Sequence, residues 1–207
     1  QYSFGEIIVT HDQNLVLPNV KQADLFSLWE KLETQNLATS NIGLLTDMIC
    51  CPGLDFCSLA SAGSIPIAKQ INEKFDDMDY LHDIGDIKIK MSGCMNACGQ
   101  HNMAHIGFQG MSVRTPEKLV APALQVLLGG GVLGNGDGRF ADKVIKIPSK
   151  RGPQALRAIL DDYKANAGDL DFLSYYDKKG QRYFYDFLKP LSETDNLVES
   201  DFVDWGN

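Results

Sequence analysis

The chain has 207 residues, of which 44% are hydrophobic and 22% are charged, and its formal net charge is -8. This composition excludes a disordered or fibrous protein, and the negative charge argues against nucleic acid or an anionic membrane as the main partner. No apolar run approaches the roughly 20 residues that span a bilayer, so we expect a soluble protein of the cytoplasm.

The first 42 residues predict a strand, strand, helix unit. Residues 5–10 and 14–17 are rich in Ile, Val and Leu and flank a turn-forming His-Asp-Gln sequence. Over residues 23–35 the apolar side chains recur with the period of a helix, at Leu25, Leu28, Trp29 and Leu32. Because the chain begins at Gln1 without Met and enters a strand-like stretch almost at once, we expect further residues upstream.

Residues 43–168 predict an alternation of strands and helices. Residues 47–64 form a loop that runs into a helix over 66–75, and residues 86–91 alternate apolar side chains with Lys88 and Lys90 on a solvated strand face. Strands are predicted over 105–113, 123–128 and 144–147, and a helix begins at Pro153. Residues 129–138 contain six glycines, which predicts a loop or a close approach of the backbone to something large.

The last segment, residues 169–207, predicts a helical, aromatic-rich stretch over 172–188 and an acidic tail docked through its aromatic side chains. We therefore expect an α/β (α+β) fold with domains at 1–42, 43–168 and 169–207.

Four cysteines carry the chemical information. Cys51 and Cys57 are separated by five residues, and Cys94 and Cys98 by three, with Gly, Pro and Asn around them. An odd total of five cysteines favours metal chemistry in a reducing compartment over a disulfide framework. Spacing alone leaves three alternatives open, an iron–sulfur cluster, a zinc site or buried packing, although the gap between Cys51 and Cys57 is wide for zinc.

These residues resemble the second half of the siroheme sulfite and nitrite reductases, and of the assimilatory sulfite reductase hemoprotein in particular. The likeness rests on Cys51 and Cys57, on the Gly-Cys-Met-Asn-Ala-Cys-Gly sequence at 93–99, and on the Ile-Gly strand at 106–107. The Thr-His-Asp-Gln-Asn-Leu sequence at 10–15 and the glycines at 129–131 match two further segments of that family. The family's fold implies half of a ferredoxin-like unit followed by an α/β/α siroheme and iron–sulfur domain.

The resemblance also implies the roles of individual residues. Metal ligation would fall to the four cysteine thiolates of one [4Fe–4S] cluster: Cys51, Cys57, Cys94 and Cys98. Contacts to siroheme, which include a bridge from the last cysteine to its iron, would come from Cys98, Asn96, Gln13, Asn14, Gly129 and Gly130. Cys50 lies outside the pattern, and we expect His101 and His105 to lie near the cofactor rather than to ligate metal.

The implied activity is the six-electron reduction of sulfite to sulfide, or of nitrite to ammonia by the same architecture. The implied partners are an electron donor, either ferredoxin or an NADPH-flavoprotein, and the N-terminal half of the same reductase. That half is needed because no Arg precedes Arg114, while only Lys21 and Lys31 precede the cysteines. An anionic substrate and the carboxylates of siroheme demand more cations than this, so we expect no catalytic residue in the chain and no turnover by it alone.

Overall fold

The computed structural model describes residues 2–134 and 136–206, which form two compact units at 2–42 and 43–206. In the first unit, β1 (Ile8–Val9) pairs antiparallel with β2 (Leu15–Val16). The Thr10 amide donates to the Asn14 carbonyl at 2.9 Å and closes the turn between them. A single 3-10 turn then leads into α1 (Leu25–Glu33), which confirms the predicted strand, strand, helix order.

The first unit has little core of its own. Among its described residues, none of those in β1, β2 or α1 is buried, and the side chains of Phe26 and Trp29 are 68% and 45% exposed. A two-stranded ribbon beside one helix buries too little apolar area to be independently stable in water. The exposed apolar side chains of this unit would therefore be stabilised by a surface that covers them.

The second unit contains the remaining strands and helices. Its described strands are β3 (Ile49–Cys50), β4 (Ile89–Ser92), β5 (Ile106–Arg114), β6 (Val120–Leu128), β7 (Gly131–Gly134), β8 (Asp137–Arg139) and β9 (Asp142–Pro148). Its described helices are α2 (Ile65–Lys74), α3 (Met78–Ile84), α4 (Gly152–Asn166), α5 (Phe172–Lys179) and α6 (Gln181–Leu188). None of the described helices is long and apolar enough to cross a bilayer.

A mixed sheet organises this unit, with described strands in the order β3, β4, β5, β6, β9. The pairs β3–β4 and β4–β5 are parallel, whereas β5–β6 and β6–β9 are antiparallel. Because parallel neighbours need a crossover, the chain passes through α2 and α3 between β3 and β4. Helices α2, α4, α5 and α6 share one apolar core with the sheet, which confirms the mixed α/β class.

The second unit differs in three details from what the sequence predicts. Residues 129–138 are not a loop throughout, because β7 and β8 form a hairpin there. Strands pair through backbone N–H and C=O groups, and glycine has both. The helical stretch predicted over 172–188 is confirmed and consists of two helices, because Gly180 adopts a φ of 79° between them. Helix α3 was not predicted, although Asp77 caps it by accepting the Asp79 and Tyr80 amides.

A polar cluster fastens α5 and α6 to α4. The Asp162 carboxylate accepts the hydroxyls of Tyr175 and Tyr183, each at 2.7 Å, and the side-chain amide of Asn166 at 3.0 Å. Burial, followed by this hydrogen bond, raises the pKa of Tyr175 above its ordinary value, so the hydroxyl remains a donor. The pKa of Tyr183 is raised first by its bond to Asp162 and then by burial.

Replacing Asp162 with Ala should lower the free energy of unfolding by about 2 kcal/mol, because two tyrosine hydroxyls lose their acceptor in a partly buried site. Chemical denaturation of the two proteins measures the difference. The neighbouring exposed Asp161, which lies 3.9 Å from Arg157, provides the matched control, and D161A should change stability by no more than about 0.5 kcal/mol. Equal losses in the two variants would contradict the role assigned to Asp162.

Candidate functional site

Both cysteine segments begin at the same edge of the mixed sheet. Cys51 directly follows β3, and Gly93 and Cys94 follow β4. The two strands are parallel neighbours in a register that sets Cys50 opposite Met91, so their carboxyl ends lie side by side. The fold thus delivers residues far apart in sequence to one place.

Cys51 and Gly93 make the contact that joins the two segments. The Cys51 side chain is buried, and its Sγ accepts the Gly93 amide at 3.1 Å. A Cβ on Gly93 would lie 2.7 Å from the Ala62 carbonyl oxygen and 2.9 Å from the Gly53 Cα, closer than protein atoms tolerate. Glycine at 93 is therefore required by the close approach of the backbones.

A short stretch, residues 61–64, ties both cysteine segments together, and we call it the bridging segment. The amides of Ser61 and Ala62 donate to the Gly93 carbonyl at 2.7 and 3.2 Å. The fully buried Ser64 hydroxyl donates to the Cys51 carbonyl at 2.5 Å and lies 3.6 Å from the Cys51 sulfur. One segment thus fixes the position of Cys51 relative to Gly93.

The other cysteines lie on more open parts of the same loops. Cys57 and Cys94 are half-buried, whereas Cys98 and Asn96 are exposed. The second loop is closed by a bond from the Gly99 amide to the Ser92 hydroxyl at 3.0 Å. Within residues 2–134 and 136–206, no three or more His, Cys, Asp or Glu side chains are grouped as a metal site. The two segments are brought together through Cys51 and Gly93, and ligation by all four sulfurs stays a prediction.

The chemistry of these residues fits an iron–sulfur cluster. All five cysteines are thiols outside any disulfide, and four of them occur on the two adjoining loops. The Gly93 amide donates to the Cys51 sulfur, and hydrogen bonds of this kind to the sulfurs are typical of iron–sulfur sites. Four thiolates are the usual complement of one [4Fe–4S] cluster.

Cys50, His101 and His105 each have contacts within the protein fold. Cys50 lies in β3, where burial and then the neighbouring Cys51 raise the pKa of its thiol. His101 is buried in a 3-10 turn, and the Nδ1 atom of His105 accepts the Lys88 amide at 3.1 Å. This bond orients His105 within the protein.

The predicted siroheme contacts lie in different parts of the chain. Gln13 and Asn14 form the turn between β1 and β2, where the Asn14 amide donates to the Thr10 hydroxyl at 3.1 Å. Gly129 and Gly130 are tightly packed against other parts of this chain. A Cβ at Gly129 would meet the Tyr176 ring, and a Cβ at Gly130 would lie 2.7 Å from the Ala141 amide nitrogen. Their contact with siroheme stays a prediction.

Sequence reasoning missed Ser64 and Arg139. Ser64 has a visible signal, because a serine just before the Ile-Pro start of α2 is typical of a helix cap, yet its hydroxyl binds Cys51 instead. The Arg139 guanidinium donates to the Gly129 carbonyl and pairs with Asp177 at 2.9 Å. Arg139 lies in the β7–β8 hairpin, whose glycine-rich sequence does not predict strands.

Comparison with known proteins identifies the family. The sequence profile of the "Nitrite and sulphite reductase 4Fe-4S domain" matches residues 44–173, more than half of the chain. The chain belongs to this family.

Three curated relatives of this 4Fe-4S domain illustrate its range. A chloroplastic ferredoxin–nitrite reductase of Zea mays is 29% identical over 72% of this chain and 26% of its own length. An assimilatory ferredoxin-dependent nitrite reductase of Haloferax mediterranei is 27% identical over 94% of this chain and 33% of its own length. The hemoprotein beta-component of a Neisseria meningitidis NADPH sulfite reductase is 29% identical over 53% and 19%, respectively.

The fold of this family member also agrees with a solved structure, the Mycobacterium tuberculosis NirA protein. That structure superposes with a TM-score of 0.73 at 20% identity, over 86% of this chain and 33% of NirA. The chain thus spans about a third or less of these relatives' lengths. The family assignment supports the [4Fe–4S] cluster and siroheme as cofactors, and it gives no support to a zinc module.

The buried His101 and the half-buried His105 should make the fold sensitive to acid. Burial is the first cause that lowers the pKa of His105, reinforced by Lys88 and opposed by Asp86 and Asp171. The unfolded chain therefore binds a proton near its ordinary pKa of about 6.5, whereas the folded chain resists it. The free energy of unfolding should fall as the pH drops below that value.

A His105→Gln variant, whose side-chain oxygen can still accept the Lys88 amide, should show a shallower decline. Denaturant unfolding between pH 8 and pH 5 measures both slopes. Identical slopes would contradict the assignment to His105.

Proposed function

We propose that this chain is the carboxy-terminal part of a siroheme-dependent reductase that reduces sulfite to sulfide with six electrons. The observation that carries the proposal is the bond from the Gly93 amide to the Cys51 sulfur, which joins both cysteine segments of a 4Fe-4S domain.

The role proposed for this chain is to hold and orient the cofactors. Cys51, Cys57, Cys94 and Cys98 would supply the thiolates, and the exposed position of Cys98 supports its role as the bridge to siroheme. When bound, the coupled cluster and siroheme supply the one-electron steps that the substrate requires. The Gly93 amide would balance negative charge at the Cys51 sulfur, and burial of that sulfur would keep water away from it.

Nitrite is the second candidate substrate, because the names of the Zea mays and Haloferax mediterranei relatives specify nitrite reductases. Those names also specify ferredoxin as the donor, whereas the Neisseria meningitidis relative is an NADPH enzyme. We propose a donor of one of these two kinds. The cytoplasm remains the proposed compartment, since a cluster held by thiolates requires reducing surroundings.

The proposed partner is the N-terminal half of the same reductase. Apolar side chains stand exposed on the first unit, as described for Phe26 and Trp29, and on the cysteine loops, where Phe56 and Met95 are 79% and 80% exposed. Such side chains at functional loops are typical of a surface that another part of the protein covers. The same partner would supply the cations that this chain lacks.

Two other functions stay distinguishable by experiment. A zinc-stabilised binding module would contain stoichiometric zinc instead of iron and acid-labile sulfide. A simple electron-transfer domain would contain the cluster, but the absorption spectrum of the full-length protein would lack the bands of a macrocycle.

Substituting Cys51 with Ser in the full-length reductase should abolish the cluster, because a ligand and the acceptor of the Gly93 amide are both lost. Protein purified without oxygen should contain about four iron atoms and four labile sulfides per chain before the change. Cys50→Ser is the matched control, since Cys50 is the adjacent residue and lies outside the motif, and it should retain the iron. Loss of iron in the Cys50 variant with retention in the Cys51 variant would overturn the ligand assignment.

The isolated chain should not reduce sulfite or nitrite with an artificial electron donor, and co-purification with the N-terminal half should restore activity. Steady-state assays with both anions test the substrate, and kcat/KM should be higher for sulfite. A higher value for nitrite would establish the second candidate. Turnover by the isolated chain would refute the need for the partner.

A further inference from the structure

A buried carboxylate near the end of the chain binds the bridging segment. Asp204 is only 4% exposed, and its Oδ2 atom accepts the amide of Gly63. Its Oδ1 atom accepts the Ser149 hydroxyl at 3.2 Å, and Ser149 is fully buried just after β9. Asp204 therefore links the end of a sheet strand to the loop that carries the first cysteines.

Trp205 strengthens the same attachment. Its indole N–H donates to the Ser149 carbonyl at 3.1 Å, and the Lys150 ammonium lies 4.5 Å from the centre of the ring. A Cβ at position 63 would lie 3.1 Å from the Trp205 carbonyl oxygen, so glycine there permits the tail to dock closely. The side chains of Asp204 and Trp205 thus hold the tail, and its backbone passes close to Gly63.

We propose that Asp204 and Trp205 are positioning residues for the cluster, acting through the bridging segment. The inference rests on the proposed cluster site. Gly63 lies between Ala62, whose amide binds the Gly93 carbonyl, and Ser64, whose hydroxyl binds the Cys51 carbonyl. Holding the Gly63 amide therefore constrains two of the contacts that link the two cysteine segments.

Cys51 needs contacts beyond its own strand because β3 is short. Strand β3 has only two residues, and its ladder continues by a single further bond, from the Cys51 amide to the Met91 carbonyl at 3.1 Å. A buried carboxylate, in contrast, must keep its donors, because losing them leaves a charge without compensation. The carboxylate also lies just before the first turn of α2, where the helix dipole favours negative charge.

The test compares Asp204→Ala with the unchanged full-length reductase, purified without oxygen. The rate of iron transfer from the protein to a chelator should rise about 10- to 100-fold in the variant, as for other groups that orient metal ligands. Amide hydrogen exchange should accelerate at residues 61–64. Asp204→Asn, which keeps one acceptor and the shape of the side chain, should give a smaller increase and serves if the Ala variant does not fold.

The control is Asp162→Ala, which removes a carboxylate with several donors but from the cluster that joins α4 to α5 and α6. It should destabilise the protein without accelerating iron transfer. If Asp204 variants release iron no faster than D162A, the positioning role is overturned while the cluster site stands. If the unchanged reductase contains no iron and no labile sulfide, the proposed function fails, and this inference fails with it.

Discussion

The arrangement of the candidate site depends on the backbone of one residue, Gly93. Its amide donates to the Cys51 sulfur, and its carbonyl accepts the amides of Ser61 and Ala62. Both backbone polar groups of Gly93, its N–H and its C=O, join the two cysteine segments, and the absence of a side chain lets the two segments approach closely. Because buried backbone groups must be paired, any separation of the segments would expose several of them without partners. The contact is therefore a constraint on the whole site.

The sheet explains why such a constraint is needed. Parallel pairing of β3 and β4 sets the cysteine segments at a common edge, but β3 pairs through only two residues. The longer strands β5 and β6 pair over nine positions and supply the rigid part of the unit. Cys51 is held further by the bond from its amide to the Met91 carbonyl and by the Ser64 hydroxyl of the bridging segment. Sheet and loops thus have separate roles, one for rigidity and one for position.

Sequence predicts the features of this protein that depend on local chemistry. The helices α1, α2 and α4 follow from the helical period of their apolar residues and from Pro66 and Pro153. The spacing of the cysteines left three kinds of site open, and the family resemblance selected the iron–sulfur cluster. The β7–β8 hairpin was missed because its glycines carry no strand signal, although backbone pairing needs none. The bond between Gly63 and Asp204 joins residues 141 positions apart, and no local pattern reports such a partner. The family resemblance predicts the ligands, whereas the contacts of the bridging segment become visible only in the folded structure.

The distribution of charge extends the same reasoning to the proposed reductase. The chain carries a net charge of -8, and Arg114 is its first arginine. Four thiolates, the carboxylates of siroheme and an anionic substrate would all add negative charge at the edge where the cysteine loops begin. Backbone amides such as that of Gly93 offset part of this charge, since they are dipoles fixed in direction. They carry no net charge, so further compensation would come from cations. In the proposed reductase, this chain would supply sulfur ligands and amides, and the proposed N-terminal partner would supply positive groups that attract and bind the substrate.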